Sequence, residues 1–316
     1  MTPDAPRRIG VIGGTGFVGR VLCRRLRADG HRLVVTSRHA RRHADLDDGD
    51  GLRLLEGNAS DAHFLEHAFT GCDTAINLAG ILNERGNSGR EFRAVHVDLP
   101  RVLGRVAKGL GIRRVLHMSA LGARAGGAPS RYLRSKGEGG NALQVELGGA
   151  VEWTIFRPSV IFGPGDDFTR RFARLLRLAP GVFPLACPNA RFAPVYVEDV
   201  AEAFARSLDN NDVNRQRLAL CGPEEYTLRE IVALLGEVTG HTRRILPLSD
   251  RMAKFQATVM ERFPGKPFSR DNYLSLQIDS VCESGSGDRE GFAELGIRPQ
   301  AMPGLVRGYL GHRDRG

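Results

Sequence analysis

The chain has little cysteine, very little lysine and no long apolar run. Its five cysteines (Cys23, Cys72, Cys187, Cys221 and Cys282) lie far apart and form no Cys-x-x-Cys pair. That spacing argues against a disulfide framework and a structural zinc site, and it fits a reducing compartment. The nine histidines form no pair at ligand spacing with carboxylates, so no metal site is expected. No stretch reaches the ~18 apolar residues of a membrane-spanning helix. The first eight residues run directly into a strand-like segment, leaving no room for a secretory leader. These absences together suit a cytoplasmic protein, one that can still be peripheral at the inner face of a membrane.

What the chain has instead is arginine. Of 45 basic residues 41 are Arg, and Lys appears only at 108, 136, 254 and 266. Against 36 acidic residues the net charge is +9 over 316 residues. Residues 1–150 hold 23 basic and 15 acidic residues, whereas residues 151–316 hold 22 and 21, so the excess belongs to the first half. A phosphorylated cofactor or an anionic membrane would answer such a charge. Nucleic acid would too, but no aromatic interleaving or docking motif supports it. With 41% hydrophobic and 26% charged residues, disordered and fibrous classes are excluded.

The first half alternates β-rich runs with helical patterns. Arg8–Gly13, Arg32–Ser37, Leu52–Glu56, Thr74–Leu78, Arg114–Met118 and Val151–Phe156 read as strands. Helical periodicity covers Phe17–Asp29, Asp61–Phe69, Glu91–Leu110 and Ser130–Leu147. Near-continuous apolar strands between helices predict an α/β fold, a doubly wound parallel sheet of the Rossmann type. Residues 1–157 would form the dinucleotide-binding domain. From Pro158 onward frequent prolines break the rhythm. Residues 158–316 then form mainly a smaller, discontinuous lobe for substrate or partner, interleaved with the last strands of the sheet.

Gly13, Gly16 and Gly19 make a Gly-x-x-Gly-x-x-Gly loop where the first strand enters the first helix. The first glycine permits the turn, the second lets pyrophosphate approach the backbone, and the third lets helix and sheet pack closely. Free N–H groups at the helix start then face the diphosphate. An NAD site usually places an acid about 20 residues further on, on the ribose 2′-hydroxyl. Here the second strand ends Thr36-Ser37-Arg38, with Arg41 and Arg42 following and no acid before Asp45. Ser37, Arg38 and one of Arg41 and Arg42 can hold a 2′-phosphate, so NADP(H) is expected over NAD(H).

Ser119 ends the fifth strand, and Tyr132 and Lys136 lie four residues apart in the next helix, on one face. Beside the phenol, the Lys136 ammonium would lower its pKa and make Tyr132 an acid or base. Ser119 would orient the substrate oxygen, and Lys136 would also bind the nicotinamide ribose. In a chain with only four lysines, Lys at this position is informative, because Arg cannot present a compact ammonium. Gly137, Gly139 and Gly140 follow, each costing a helix about 1 kcal/mol relative to Ala, and they predict a loose helix.

Further stretches join these motifs: Asn77-Leu78-Ala79-Gly80, His96-Val97-Asp98, VLHMSALGA over Val115–Ala123, TIFRPSVIFGPGDD over Thr154–Asp167, and PVYVEDVA over Pro194–Ala201. Together they resemble the short-chain dehydrogenase/reductase superfamily in its extended or atypical, epimerase/dehydratase-like branch. Within it they are similar to the nucleotide-binding accessory subunits of respiratory complex I and their bacterial relatives. The resemblance implies cofactor contacts at Gly13, Thr15, Gly16, Phe17, Val18 and Gly19, with Arg38 near the 2′-phosphate. It places Asn58 and Ala59 near the adenine, Leu78, Ala79 and Gly80 near the ribose, and Pro158, Ser159 and Val160 beside the nicotinamide. It also implies two functions: an oxidoreductase on a carbonyl, alcohol or quinone-related substrate, or a non-catalytic NADPH-bound accessory protein. Gly140 stands where the family helix has Glu.

Phe168–Leu178 is basic and amphipathic, with Phe168, Phe172, Leu175 and Leu176 on one face. It could lie on an anionic membrane or a respiratory-complex partner, or pack into its own lobe. Asp199 is read as a helix cap or a tie between lobes, and His96 and His117 as packing or hydrogen-bonding residues.

Overall fold

The structure, a computed structural model, describes residues 6–47, 49, 51–263, 266–282 and 287–311. β1 (Arg8–Ile12) leads into α1 (Phe17–Ala28), followed by β2 (Arg32–Ser37), a 3-10 helix (Ala40–Leu46), β3 (Leu52–Glu56), α2 (Ala62–Phe69) and β4 (Thr74–Asn77). Then come α3 (Arg90–Arg93), a π-helical turn (Ala94–Asp98), α4 (Leu99–Gly109), β5 (Arg114–Met118), α5 (Arg131–Leu147) and β6 (Glu152–Pro158). The single helix expected over Glu91–Leu110 is thus interrupted by a π turn. Such turns are frequent at functional sites, and this one carries His96.

The rest of the chain builds β7 (Ile161–Phe162), α6 (Asp167–Leu178), β8 (Val182–Leu185), β9 (Arg191–Phe192), β10 (Val195–Tyr196) and α7 (Val197–Arg206). β11 (Gln216–Leu220), β12 (Tyr226–Thr227), α8 (Leu228–Val238), β13 (Arg244–Pro247), α9 (Asp250–Met260) and α10 (Arg270–Ser275) follow. β14 (Arg289–Glu290), α11 (Gly291–Glu294) and α12 (Met302–Leu310) complete it. The main sheet has eight strands in the order β3-β2-β1-β4-β5-β6-β11-β14, all parallel. This is the doubly wound α/β architecture that the strand–helix alternation predicts.

Alternation along each strand divides the core between the two faces. Val11, Val35, Leu116 and Phe156 pack with Leu22 and Leu26 of α1 and with Val200 and Phe204 of α7. Their neighbours Ile12, Val34 and Val115 pack on the opposite side with α2, α4 and α5 through Phe69, Leu103 and Leu143. The helix covering one face beside α1 therefore comes from the second half of the chain. Asp199 of α7 accepts from Gln300 N at 2.8 Å and Gln300 Nε2 at 3.0 Å, tying that helix to the segment before α12.

The structure bears on two expectations. The apolar face of α6 is buried in the lobe's own core: Leu176 is 1% exposed, and Phe168, Phe172 and Leu175 pack against Phe162, Phe183 and Ile231. Its exposed residues are Asp167, Arg170, Arg174, Arg177 and Leu178, so the stripe packs into its own lobe. The disulfide Cys221–Cys282, across a sequence separation of 61, corrects the expectation that the cysteines stay unpaired. Spacing could not reveal it, because Cys282 reaches Cys221 only once Ser280 has bonded Ala193 and Ser159 at the end of the sheet.

Candidate functional site

Because the sheet is parallel, the loops leaving its strands gather along one edge, and ligands of open α/β sheets bind in the crevice where strand order reverses. That reversal lies between β1 and β4. Gly13, just after β1, has φ +82°, and a Cβ there would lie 3.0 Å from Ala79 N, just after β4. Gly80 follows, and a Cβ on it would lie 3.1 Å from Lys136 Nζ and 3.7 Å from His96 Nε2. The glycine loop, Leu78–Gly80 and Lys136 therefore border one continuous crevice.

The glycine loop is built for close approach. A Cβ on Gly19 would lie 2.2 Å from Gly13 O and 2.6 Å from Gly14 Cα. Gly16 caps α1 without a side-chain hydrogen bond, leaving the first N–H groups of the helix directed at the crevice. Thr15, Phe17 and Val18 are half-buried around it. This cradle fits the pyrophosphate of a nicotinamide dinucleotide. At the end of β2, Ser37 Oγ accepts from His39 N at 3.2 Å, and Arg38 and Arg42 are exposed with no ion pair among the described residues. Asp45 is held by Arg20 at 2.8 Å. Asn58 turns the loop after β3, accepting from Ser60 N at 3.1 Å, while Ala59 packs against the core. Pro158 and Ser159 are buried at the end of β6, and Ser159 Oγ donates to Ser280 O at 2.6 Å. Val160 is half-buried, with its carbonyl accepting from Val195 N.

Lys136 is 4% exposed, and burial pulls its pKa from 10.5 down to about 8. Its Nζ donates to Met118 O at 3.0 Å, the only acceptor it has among the described residues. An ammonium carries three donors, so two remain for a ligand beside Gly80. His117 adds a second unfilled group. Asn77 Oδ1 accepts from Ala79 N, so its Nδ2 donates to His117 Nδ1, and the proton of His117 lies on a buried, unpartnered Nε2. Burial and then Lys136 hold His117 neutral, with a pKa near 3. His96 accepts from Ile81 N through Nε2, and its Nδ1–H faces Ser135 Oγ at 2.8 Å.

The catalytic expectations are met only in part. Tyr132 is half-buried, its ring edge-on to Phe92 and His96. Burial pushes its phenol up to about 12, and Lys136 does not lower it. The two side chains leave the helix in different directions, the ammonium toward Met118 and the phenol ring toward the π turn. Ser119 is also turned away from the expected role, its Oγ donating to the α5 backbone at Lys136 O, 3.4 Å distant. The expected loose helix is corrected as well, since α5 is unbroken over seventeen residues. Its glycines serve packing: a Cβ on Gly139 would lie 1.7 Å from His96 O, and one on Gly137 2.4 Å from Arg124 C. At Gly140, where Glu is expected, a Cβ would merely touch Ile155 at 3.4 Å.

Sequence reasoning missed Asp271. From α10 in the lobe, its carboxylate accepts from Arg131 N at 2.7 Å and Tyr132 N at 3.1 Å, at the start of α5. With Ser130 Oγ accepting from Leu133 N, it satisfies the free donors of that terminus and fixes where Tyr132 begins. A contact spanning 139 residues leaves no local signal.

The NAD dependent epimerase/dehydratase family matches residues 9–221. The chain is 29% identical over 301 residues to NADH dehydrogenase (ubiquinone) 1 alpha subcomplex subunit 9, mitochondrial, of Rattus norvegicus, covering 92% of this chain and 76% of that protein. It is 31% identical over 258 residues to ceramide reductase of Caulobacter vibrioides, covering 79% and 76%. Among solved structures, MoeE5 in complex with UDP-glucuronic acid and NAD superposes with a TM-score of 0.72 at 19% identity, covering 96% and 97%. The family match takes in the glycine cradle, the crevice at β4, Lys136 and the sheet as far as the end of β11, so this chain belongs to the NAD dependent epimerase/dehydratase family.

Proposed function

We propose that this chain is an NADP(H)-dependent oxidoreductase acting on a carbonyl substrate in the direction of reduction. The observation that carries this reading is the buried Lys136 ammonium, placed at the end of β5 beside Gly80 with one of three donors used. A cation in such a place stabilises a ligand rich in hydroxyl acceptors, and the nicotinamide ribose is one. When bound, the reduced dinucleotide supplies a hydride. The chain's own part is to hold the ribose through Lys136, to seat the pyrophosphate on the Gly13–Gly19 loop, and to protonate the nascent alkoxide. Burial raises the Tyr132 phenol to about 12, so it enters the reaction protonated, as a donor to a carbonyl oxygen must. The Caulobacter relative is a ceramide reductase, which agrees in direction and suggests a long-chain, apolar carbonyl compound.

The test is NADPH consumption by the purified chain over a panel of long-chain ketones and quinones. Tyr132→Phe is expected to lower kcat by at least ~100-fold with NADPH affinity unchanged. Wild-type protein that holds NADPH and consumes none across the panel would sink the enzyme reading. A second reading has its own support: the ring of Tyr132 packs on Phe92 and His96, and Ser119 is engaged by α5. On that reading the chain is a non-catalytic NADP(H)-bound accessory protein, as similarity to a complex I subunit suggests.

Cofactor choice rests on Ser37, Arg38 and Arg42. Replacing both arginines by Ala is expected to weaken NADPH binding about 10- to 100-fold, from the loss of charge-assisted bonds to phosphate. NADH binding, followed by the same fluorescence titration, is expected to stay within about twofold. Equal loss of both cofactors would refute the assignment of the 2′-phosphate to these side chains.

A further inference from the structure

We propose that the lobe face formed by α9 and the β8–β13 ribbon docks on an anionic phospholipid surface. The amphipathic pattern of α9 is inverted. The residues it turns to the body are Ala253 and Ala257, 1% and 0% exposed, while Met252 and Phe255 are 54% and 71% exposed. Successive helical residues turn by about 100°, so Met252, Phe255 and Val259 form one outward stripe. The ribbon extends it. Leu246 of β13 pairs with Pro184 of β8, and Pro184 lines an open groove with Met252, Phe255 and Val259. Val182 and Leu246 are themselves exposed. A contiguous apolar face of this kind, unlike a single exposed Leu, calls for an occupant.

Charge selects which one. Residues 182–185 and 241–263, which carry this face, hold five Lys and Arg against two Asp and Glu. The near-neutral balance of the second half thus conceals a local net charge of +3. Arg244, on the same side of β13 as Leu246, and Arg251, which lines the groove, are exposed and form no ion pair among the described residues. Of the acids, Asp250 is taken by Lys254 and Glu261 by Arg270. A second copy seated on the same face would set this positive surface against itself. A specific protein partner would be read through hydrogen bonds, yet the groove wall is made almost wholly of carbon. A headgroup and acyl boundary asks only for apolar side chains ringed by cations. Among the described residues no helix is long and apolar enough to cross a membrane, so this contact is peripheral.

The test is co-sedimentation of the full chain with extruded vesicles. Wild-type protein is expected to bind phosphatidylcholine vesicles containing phosphatidylglycerol, to bind pure phosphatidylcholine at least ~10-fold more weakly, and to be released by salt. Phe255→Asp is expected to reduce binding about 10-fold or more, with an unchanged melting temperature because the side chain is already exposed. Arg244→Glu is expected to weaken binding to phosphatidylglycerol and leave the phosphatidylcholine baseline alone. Wild-type protein that stays in the supernatant overturns the proposal, as does a Phe255→Asp variant that binds equally well. Sedimentation velocity supplies the remaining arm. A dimer that Phe255→Asp dissolves, without vesicle binding by wild type, assigns the face to a second copy and overturns the lipid assignment.

Discussion

Gly19→Ala is expected to bind NADPH about 100-fold more weakly than wild type, the equivalent of ~2.7 kcal/mol. The added Cβ would lie 2.2 Å from Gly13 O and 2.6 Å from Gly14 Cα, against an ordinary contact of about 3.5 Å. Loop and helix must therefore separate by roughly 1 Å, and the N–H groups that would meet the pyrophosphate move with them. Overpacking of this kind also costs about 1–3 kcal/mol of stability, so the melting temperature falls as well. Gly16→Ala is the instructive contrast. Its Cβ would meet only Gly13 O, at 3.4 Å, so the variant is expected to melt with wild type while losing NADPH affinity to the methyl group in the ligand's path. Fluorescence titration and a thermal melt on both variants separate packing from ligand approach. Undiminished NADPH affinity in both would remove the pyrophosphate from this loop.

Lys136→Met is expected to do two opposite things. At pH 7 the buried ammonium is charged and has one acceptor, Met118 O. Replacing such a charge with an apolar side chain of similar volume is expected to stabilise the fold by about 1–3 kcal/mol. The pH dependence has a definite sign. The folded-state pKa, about 8, lies below the ordinary 10.5. The penalty is therefore complete below pH 8, and wild-type stability rises between pH 8 and 10.5, where the unfolded chain holds a proton that the folded chain has released. The advantage of Lys136→Met should shrink across that same window. NADPH affinity moves the other way, falling about 10- to 100-fold as a charge-assisted hydrogen bond is lost. In wild type it declines as pH rises through 8. A methionine variant that is less stable at pH 7, or that binds NADPH normally, would show that the ammonium serves the fold and not a ligand.

The sheet was legible because its signal is local. Apolar runs such as Arg32–Ser37, buried on both faces, have one compatible environment, and the glycine loop announces where the first strand turns. Lys136 stood out against a background of arginine, and the structure buries it with its ammonium on Met118 O. What stayed hidden depends on contacts far apart in sequence. Neither the pairing of Cys221 with Cys282 nor the approach of Asp271 to the start of α5 has any nearby correlate. The direction of a side chain is equally invisible in spacing: four residues place Tyr132 and Lys136 on one helical face, yet the phenol ring leans on Phe92 while the ammonium reaches Met118. The glycines of α5 misled for a related reason. Helix propensity prices each as a weakness, whereas His96 O and the backbone at Arg124 press on the helix where Gly139 and Gly137 lie.

The order in which the sheet is assembled bears on how the chain is made. β11 pairs with β6 and β14 with β11, and α7 roofs the core beside α1, yet all three lie beyond residue 190. A ribosome that has released the first 157 residues has therefore delivered a cradle with one face uncovered, the ring of Phe156 lacking Phe204, and a bare strand edge. Such an edge pairs readily with other chains. Arg157 would still await Asp288. The dinucleotide site is encoded early and completed late, so a nascent chain of this protein needs shielding until almost all of it has been translated.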